Sequence, residues 1–416
     1  MPRSGLLVTA LIALFAGPAA ASAQLPAPGP LLPPELAAEP ERIPPRPIGR
    51  YPQHWAQCVA GRQPPPPVLP AGIDPRGVDP ASPNPLVGLR WFVDRMEPAY
   101  MQWVRWRRTG KTQRASTIWR LARQPRFRWF GKFTRPRMRK KVRGFLNRVQ
   151  CDQPGTVPQM AVLRAVSNKC EPGYLGGGAA EDARTREWYR DFASVIGAAR
   201  VVIGFEVDSL GTIDCLARHR RDDRLRLLRY GVDVLSQLPG ATIYLEAEAS
   251  DWEPARRTAR KLREIGVHKV RGFMLNATHH DWTRANIRYG LAVSRRVGGK
   301  PFVISTAYNG RGPLHYRRSV GGKRRRINVW CHPGLRGLGP APTTLTSHPK
   351  VDAYMYINRP GYSAGSCNGG PLPVGKWWRA RALMYARYAT DWEAPPPGTR
   401  YGHHKRYTLE ELGAFE

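Results

Sequence analysis

Acidic side chains are scarce in this chain of 416 residues: 31 Asp and Glu stand against 66 Lys and Arg, for a formal net charge of +35. None lies between Glu97 and Asp152, where Arg137-Met138-Arg139-Lys140-Lys141 is the densest basic run. A second run, Lys323-Arg324-Arg325-Arg326, precedes Asn328-Val329-Trp330. So one-sided a field favours anionic partners: an acidic polysaccharide, a phospholipid or wall surface, or nucleic acid. Long apolar runs are missing as well. The stretch from Leu6 to Phe15 falls short of the roughly 20 residues that span a bilayer, and no other comes near, so no transmembrane segment is expected. There is no Cys-x-x-Cys, no His/Cys grouping at zinc spacing and no Walker motif. G-x-G-x-x-G is absent too, Gly176-Gly177-Gly178 being the nearest candidate. These absences remove the sequence signals for a zinc site and for nucleotide binding, and no metal or organic cofactor is expected.

What is present begins with an export signal. Arg3, the apolar stretch and Ala21-Ser22-Ala23 have the layout of a signal peptide over residues 1–23, which predicts a secreted, extracellular or periplasmic protein. Six cysteines fit that oxidising compartment and read as disulfides. Trp119, Phe127, Trp129 and Phe130 lie among the arginines as stacking platforms would. An exported chain seldom has nucleic acid as its task, however, and no nucleic-acid partner is expected. Residues 24–75, with Pro44-Pro45-Arg46-Pro47 and Pro64-Pro65-Pro66-Pro67, read as a semi-rigid extended arm. One large folded domain is expected over 76–395 and a polar tail over 396–416.

Within that domain apolar strand-like runs alternate with helical patterns. Strands are predicted at Met160 to Val166, Arg200 to Val207, Ala241 to Ala247, Lys269 to Asn276, Pro301 to Thr306 and Val351 to Ile357. Helices are predicted at Asp182 to Ile196, Asp223 to Gln237, Glu253 to Ile265 and Thr283 to Val297. Repeated units of this kind argue an α/β fold with a parallel sheet, and a barrel rather than a doubly wound sheet, which would want a phosphate-binding glycine turn.

Polar residues gather where the strands end: Glu206 and Asp208, Glu246 and Glu248, Asn276, Ser305. In a barrel that rim is where the active site is built. Gly204-Phe205-Glu206-Val207-Asp208-Ser209-Leu210-Gly211 closes one strand with two carboxylates that period-two geometry places on one face. Close carboxylates raise one another's pKa, which keeps a proton available for a leaving oxygen, as a glycosidase acid requires. Trp252 and Trp330 adjoin strand ends, where they could stack on a sugar face.

These segments, in order, resemble glycoside hydrolase family 6, the inverting cellulases and cellobiohydrolases. Asn84-Pro85-Leu86-Val87-Gly88 resembles the domain's opening and Trp129-Phe130-Gly131 its first strand. Glu206-Val207-Asp208-Ser209-Leu210 resembles the acid motif, and Tyr244-Leu245-Glu246-Ala247 through Trp252 the next strand and its tryptophan. Gly272-Phe273-Met274-Leu275-Asn276, Asn309-Gly310-Arg311-Gly312, Trp330-Cys331 and Arg359-Pro360-Gly361 complete the series, over about Asn84 to Asp391. The resemblance implies a distorted parallel (β/α) barrel, disulfides Cys170–Cys215 and Cys331–Cys367, and thereby a remaining pair Cys58–Cys151. It implies Asp208 as general acid on a β-1,4-glucan-like polysaccharide. Glu206, Glu246 and Glu248 are then pKa-tuning groups or a base. Trp129, Trp252, Asn276, Trp330 and Tyr356 are expected to bind substrate, with Trp282 also lining the groove.

Several family positions are changed. Leu163 stands for the strand tyrosine and Lys169 for the aspartate beside the first disulfide; Ser305 replaces an Asp and Tyr308 an Arg of many bacterial members. Asn358, Tyr362 and Ala364 replace the lysine, glutamate and aspartate of the motif that carries the usual base candidate. An ammonium at 169 about 6 Å from Asp208 would lower the acid's pKa by about two units. Two readings follow: a hydrolase whose base has moved to Glu246, Glu248 or Asp251, or a protein that binds glycan, or an anionic envelope polymer, without cleaving it. Gly361-Tyr362-Ser363-Ala364-Gly365 fits G-x-S-x-G but is followed by loop residues rather than a helix, against an esterase elbow. His279-His280 and His403-His404 lack the spacing of a helical zinc site and read as solvated, the first pair with the alternative of lining the groove beside Asn276.

Overall fold

Seven short apolar segments pair into one parallel sheet in the order β1-β2-β3-β4-β5-β6-β9. They are β1 (Arg128–Gly131), β2 (Gln159–Leu163), β3 (Val201–Phe205), β4 (Ala241–Glu246), β5 (Gly272–Leu275), β6 (Phe302–Ser305) and β9 (Val351–Met355). The computed structural model describes residues 73–134, 136–165, 178–320 and 323–398. From β2 to β9 every residue of these strands is buried, as expected of parallel strands covered on both faces.

Alternation then sorts the side chains. Val201, Ile203 and Phe205 pack outward with Tyr189, Phe192 and Leu228 of the helical layer. Val202 points inward with Ala161, Leu163, Tyr244, Met274, Val303 and Ala353. The inner space is tight: a Cβ added at Gly204 would meet Met274 Sδ at 2.7 Å. Helices α3 (Met138–Asp152), α4 (Ala179–Ile196), α5 (Arg218–Leu235), α6 (Ala255–Ile265) and α7 (Thr283–Ser294) return the chain between strands. Each sits in or beside a predicted helical or strand-to-strand interval. The sheet does not close. β1 and β9 share no ladder, but Phe127 N–H donates to Tyr356 O at 3.1 Å and the Trp129 indole N–H to Ile357 O at 2.8 Å. Helices α1 (Pro98–Arg108), α2 (Thr112–Ala122) and α8 (Arg379–Arg387) cover the flank beside that seam through Trp103, Trp106, Ile118, Leu121, Tyr356 and Tyr385.

The aromatic side chains among the early arginines are packed inside. Phe127 and Phe130 are buried, and Trp119 stacks on Trp103 with centroids 4.3 Å apart. At the N-terminal end of the strands, Arg271, just before β5, forms a bidentate pair with Asp352 of β9 at 2.8 and 2.9 Å, and the Tyr244 hydroxyl donates to the same carboxylate at 2.7 Å. β7 (His315–Val320) and β8 (Lys323–Asn328) form a separate antiparallel hairpin. Among the described residues no helix is long and apolar enough to cross a membrane.

Candidate active site

At the C-terminal rim the chain leaves extended geometry abruptly. Glu206 and Asp208 after β3, Glu248 after β4 and Asn276 after β5 have φ of 59°, 65°, 67° and 62°. A left-handed backbone at a non-glycine residue costs about 1–3 kcal/mol and persists only where its surroundings over-determine it. This is why the predicted strands overran: β3 stops at Phe205 and β5 at Leu275.

Asp208 is half-buried, and its Oδ1 accepts the Thr278 hydroxyl at 2.7 Å. Burial raises its carboxyl above the usual Asp range, although Thr278 and the nearby His279 pull it down. Lys169, expected to lower this carboxyl, lies with Asn168 and Cys170 outside the described residues. Glu246, the last residue of β4, is buried and accepts the N–H groups of Leu210, at 3.1 Å, and of Glu248. Burial and the Asp208 carboxylate push it to about 8, so it is mainly protonated at neutral pH. Burial and Glu246 raise Glu248 as well, against Lys261, whose Nζ lies 3.5 Å from its Oε1. Lys261, reaching in from α6, also meets Glu253 at 3.0 Å and Leu210 O at 3.1 Å.

Beside this group His279 Nδ1 lies 2.8 Å from Asp251 Oδ1, and its ring stacks on Trp252 with centroids 4.7 Å apart. Trp252 closes over Gly211, where an added Cβ would sit 2.4 Å from the indole. Burial opposes ionisation of both partners, but their mutual attraction wins: Asp251 is held below the usual Asp range and His279 above the usual His range. Asn276 ties the rim together, its N–H donating to Glu248 O at 2.7 Å and its amide to Ser305 O at 2.9 Å and Asp281 O at 3.2 Å.

Glu206 belongs to a different arrangement. Its carboxylate accepts from Arg164 N–H at 3.0 Å, Ala165 N–H at 2.8 Å, the Tyr189 hydroxyl at 2.6 Å and Ser209 at 2.9 Å, fastening the end of β2 to that of β3. The period-two argument that set it beside Asp208 does not apply, because extended geometry has ended one residue earlier. Tyr356, expected at the substrate, is 2 % exposed and donates to Gly339 O at 3.1 Å inside the α1–α2–α8 cluster. Trp129 and Leu163 adjoin the inner core at the seam. Trp330 and Trp282 are half-buried, Trp330 next to the disulfide Cys331–Cys367, whose Cα atoms are 6.2 Å apart. Cys151 and Cys215 are also disulfide-bonded; their expected partners Cys58 and Cys170 lie outside the described residues.

The stretch after β9 that was expected to carry the altered base motif is built around Glu97, which sequence reasoning missed. The Tyr362 hydroxyl donates to Glu97 at 2.7 Å, Arg359 reaches it at 3.2 Å and Arg128 at 3.3 Å. Burial opposes its charge, but Arg359, Arg126 and Arg128 bring it to about 2. Asn358 accepts from Arg359 N–H at 2.8 Å, while Ala364 is exposed and donates its N–H to His332 at 2.8 Å. Ser363 is buried and its hydroxyl donates to Gly365 O at 3.0 Å in a loop, the opposite of an exposed elbow. Thr278 and Lys261 were likewise not assigned to the site from sequence; His279, read as solvated or as lining the groove beside Asn276, meets Asp251 and Trp252, whereas His280 is buried at 3 % exposure rather than solvated. The His/Cys grouping close enough to hold a metal among the described residues, Cys331, His332 and Cys367, has both sulfurs in the disulfide.

Comparison with known proteins agrees with this geometry. The family described as Glycosyl hydrolases family 6 matches residues 87–389. Endoglucanase A of Cellulomonas fimi is 30% identical over 309 residues, 74% of this chain and 62% of that protein. Endoglucanase 1 of Streptomyces sp. strain KSM-9 is 32% identical over 236 residues, 56% of this chain and 60% of that one. The chain thus spans less than two thirds of the length of these curated relatives. Among solved structures, the endoglucanase Cel6 from Mycobacterium tuberculosis, in complex with methyl-cellobiosyl-4-deoxy-4-thio-β-D-cellobioside, superposes with a TM-score of 0.64 at 30% identity, over 74% of this chain and 99% of that one. The endoglucanase CEL6B from Humicola insolens shares the fold at 19% identity and a TM-score of 0.61. A curled, open barrel of seven parallel strands with its carboxylates on the C-terminal rim, matched over residues 87–389, makes this chain a member of glycosyl hydrolase family 6.

Proposed function

We propose that this chain is an exported glycoside hydrolase that cleaves a β-1,4-glucan-like polysaccharide with Asp208 as proton donor. The observation that carries the reading is the half-buried Asp208 carboxyl, raised by burial at the rim beside a Glu246 that is itself mainly neutral. A carboxyl raised above its usual range holds its proton to higher pH, which is what protonating a leaving oxygen requires. The base falls to Asp251. Of the three carboxylates available, Glu246 and Glu248 are raised, whereas Asp251 is held ionised by His279. Trp252 and Trp330 supply sugar-stacking surfaces, and the ligand seen on the Mycobacterium tuberculosis endoglucanase supports a cello-oligosaccharide in this groove. Export rests on residues 1–23, outside the described residues.

Incubation with a soluble β-1,4-glucan should release new reducing ends, and NMR of the first product should show the inverted anomer. Retention of configuration, or release undiminished in Asp251→Asn, would remove the assigned base. A second reading, binding without cleavage, is favoured by Ala364 at the usual base position and by Tyr362 drawn to Glu97. It requires retention on insoluble glucan with no reducing ends formed.

A further inference from the structure

The hairpin β7–β8 is not explained by the barrel. Its fourteen residues, 315–328, contain six Lys or Arg and no Asp or Glu, and the chain has no acidic residue at all between Asp281 and Asp352. Its register sets like against like: Arg317 opposite Arg326 and Arg318 opposite Arg325, with Ser319 opposite Arg324 and Val320 opposite Lys323. Like charges directly opposed weaken an antiparallel pair, and a two-stranded ribbon is marginal to begin with. The arrangement therefore opposes the hairpin's own stability, which an anion lying along it would reverse. Its position adds the second half of the argument. Asn328, the last residue of β8, donates to Asp251 at 2.5 Å, and Asp251 holds His279 beside Asp208, so the ribbon is rooted in the wall of the candidate cleft.

We propose that β7–β8 is a polyanion-binding arm of the cleft, and that the polysaccharide this protein engages carries anionic groups (carboxylate, sulfate or phosphate) that run along the hairpin as the chain enters the groove. This rests on the reading of the groove as a glycan site and specifies its ligand. Acidic substituents would offset the like charges that the register sets opposite one another, and the positive field also draws the polymer towards Asp208.

The test compares binding of the full chain to polygalacturonate and to neutral hydroxyethyl cellulose by affinity electrophoresis at low and physiological salt. The variants are R317Q/R318Q/R325Q/R326Q and a control that removes the same charge from exposed positions on or next to α3, R137Q/K140Q/K141Q/R143Q. The hairpin variant should bind polygalacturonate about tenfold more weakly or worse, the control within about threefold of the parent, and neutral glucan equally well in all three. Replacement of the same four arginines by lysine, which keeps charge, should restore polyanion binding and guards against a folding artefact. Equal losses in hairpin and control variants would reduce the effect to a diffuse field and overturn the proposal. So would tighter hairpin-dependent binding of single-stranded nucleic acid or of anionic vesicles than of polygalacturonate. Cleavage of neutral glucan without any binding of polygalacturonate sinks the arm alone; failure to bind either glycan sinks the glycan reading with it.

Discussion

At the N-terminal end of the barrel Arg271 meets Asp352 twice, at 2.8 and 2.9 Å, with Tyr244 completing the carboxylate's shell. At the C-terminal end Glu248 and Glu253 meet the ammonium of Lys261, whose charge also acts on Glu246, while Asp208 accepts the Thr278 hydroxyl and Asp251 takes His279. Both ends bury charge. The lower end resolves it by pairing one anion with one cation, so no proton need move. The upper end has more acids than cations and resolves the excess by keeping carboxyls protonated. A store of held protons is of no use to a structural pair, but it is the raw material of general acid catalysis.

The contrast can be attacked from its structural side. Asp352→Asn leaves the Arg271 guanidinium buried without its counter-ion, and unfolding in urea should show a loss of about 3–5 kcal/mol. A loss under about 1 kcal/mol would mean that the lower pair is not a pair in the energetic sense. Next in size are two opposite pH dependences of stability. Glu246 is raised from 4.5 to about 8 in the folded state, so the stability it contributes is full below 4.5 and is lost as pH rises towards 8. Glu97 is depressed from 4.5 to about 2, so its contribution is present above 4.5 and is lost as pH falls towards 2. Urea midpoints across pH should therefore lose their alkaline slope in Glu246→Gln and their acid slope in Glu97→Gln. Exchange of the two slopes would invert the electrostatic assignment of the two sites. The smallest effect expected is at Thr278. Its hydroxyl favours the ionised form of Asp208, so Thr278→Val should move the alkaline limb of the pH–rate profile to higher pH. Movement downward would show that Thr278 stabilises the protonated acid instead.

Much of this was legible in the chain itself. Apolar runs of strand length separated by helical patterns marked six of the seven strands of the sheet, and the seventh, Arg128–Gly131, was marked by its likeness to the family's first strand. Acidic residues at strand ends marked Asp208, Glu246 and Glu248, since strand order and polarity are local properties. What escaped was non-local or conformational. Glu206 was set beside Asp208 because nothing in residue type announces a left-handed backbone at a glutamate. Lys261 reaches the rim from a helix, thirteen residues beyond Glu248, through a long side chain that on sequence alone reads as solvated. Glu97 meets Arg359 and Tyr362 across more than two hundred and fifty residues, a contact that only the seam between the first and last strands creates. Asn358, Tyr362 and Ala364 read from sequence as simple losses; in the fold the first two join or adjoin an ion-pair network, and of the three only Ala364 is exposed.

One comparison bears most directly on the claim that the upper carboxyls hold protons for chemistry rather than for stability: the turnover and the urea stability of Asp208→Asn, measured on the same preparation with a soluble β-1,4-glucan. The account predicts a fall in kcat of about 10²–10⁴-fold with stability equal to or above that of the parent, because a buried acid has been replaced by a neutral amide. Undiminished turnover, or a loss of stability matching that of Asp352→Asn, would contradict it.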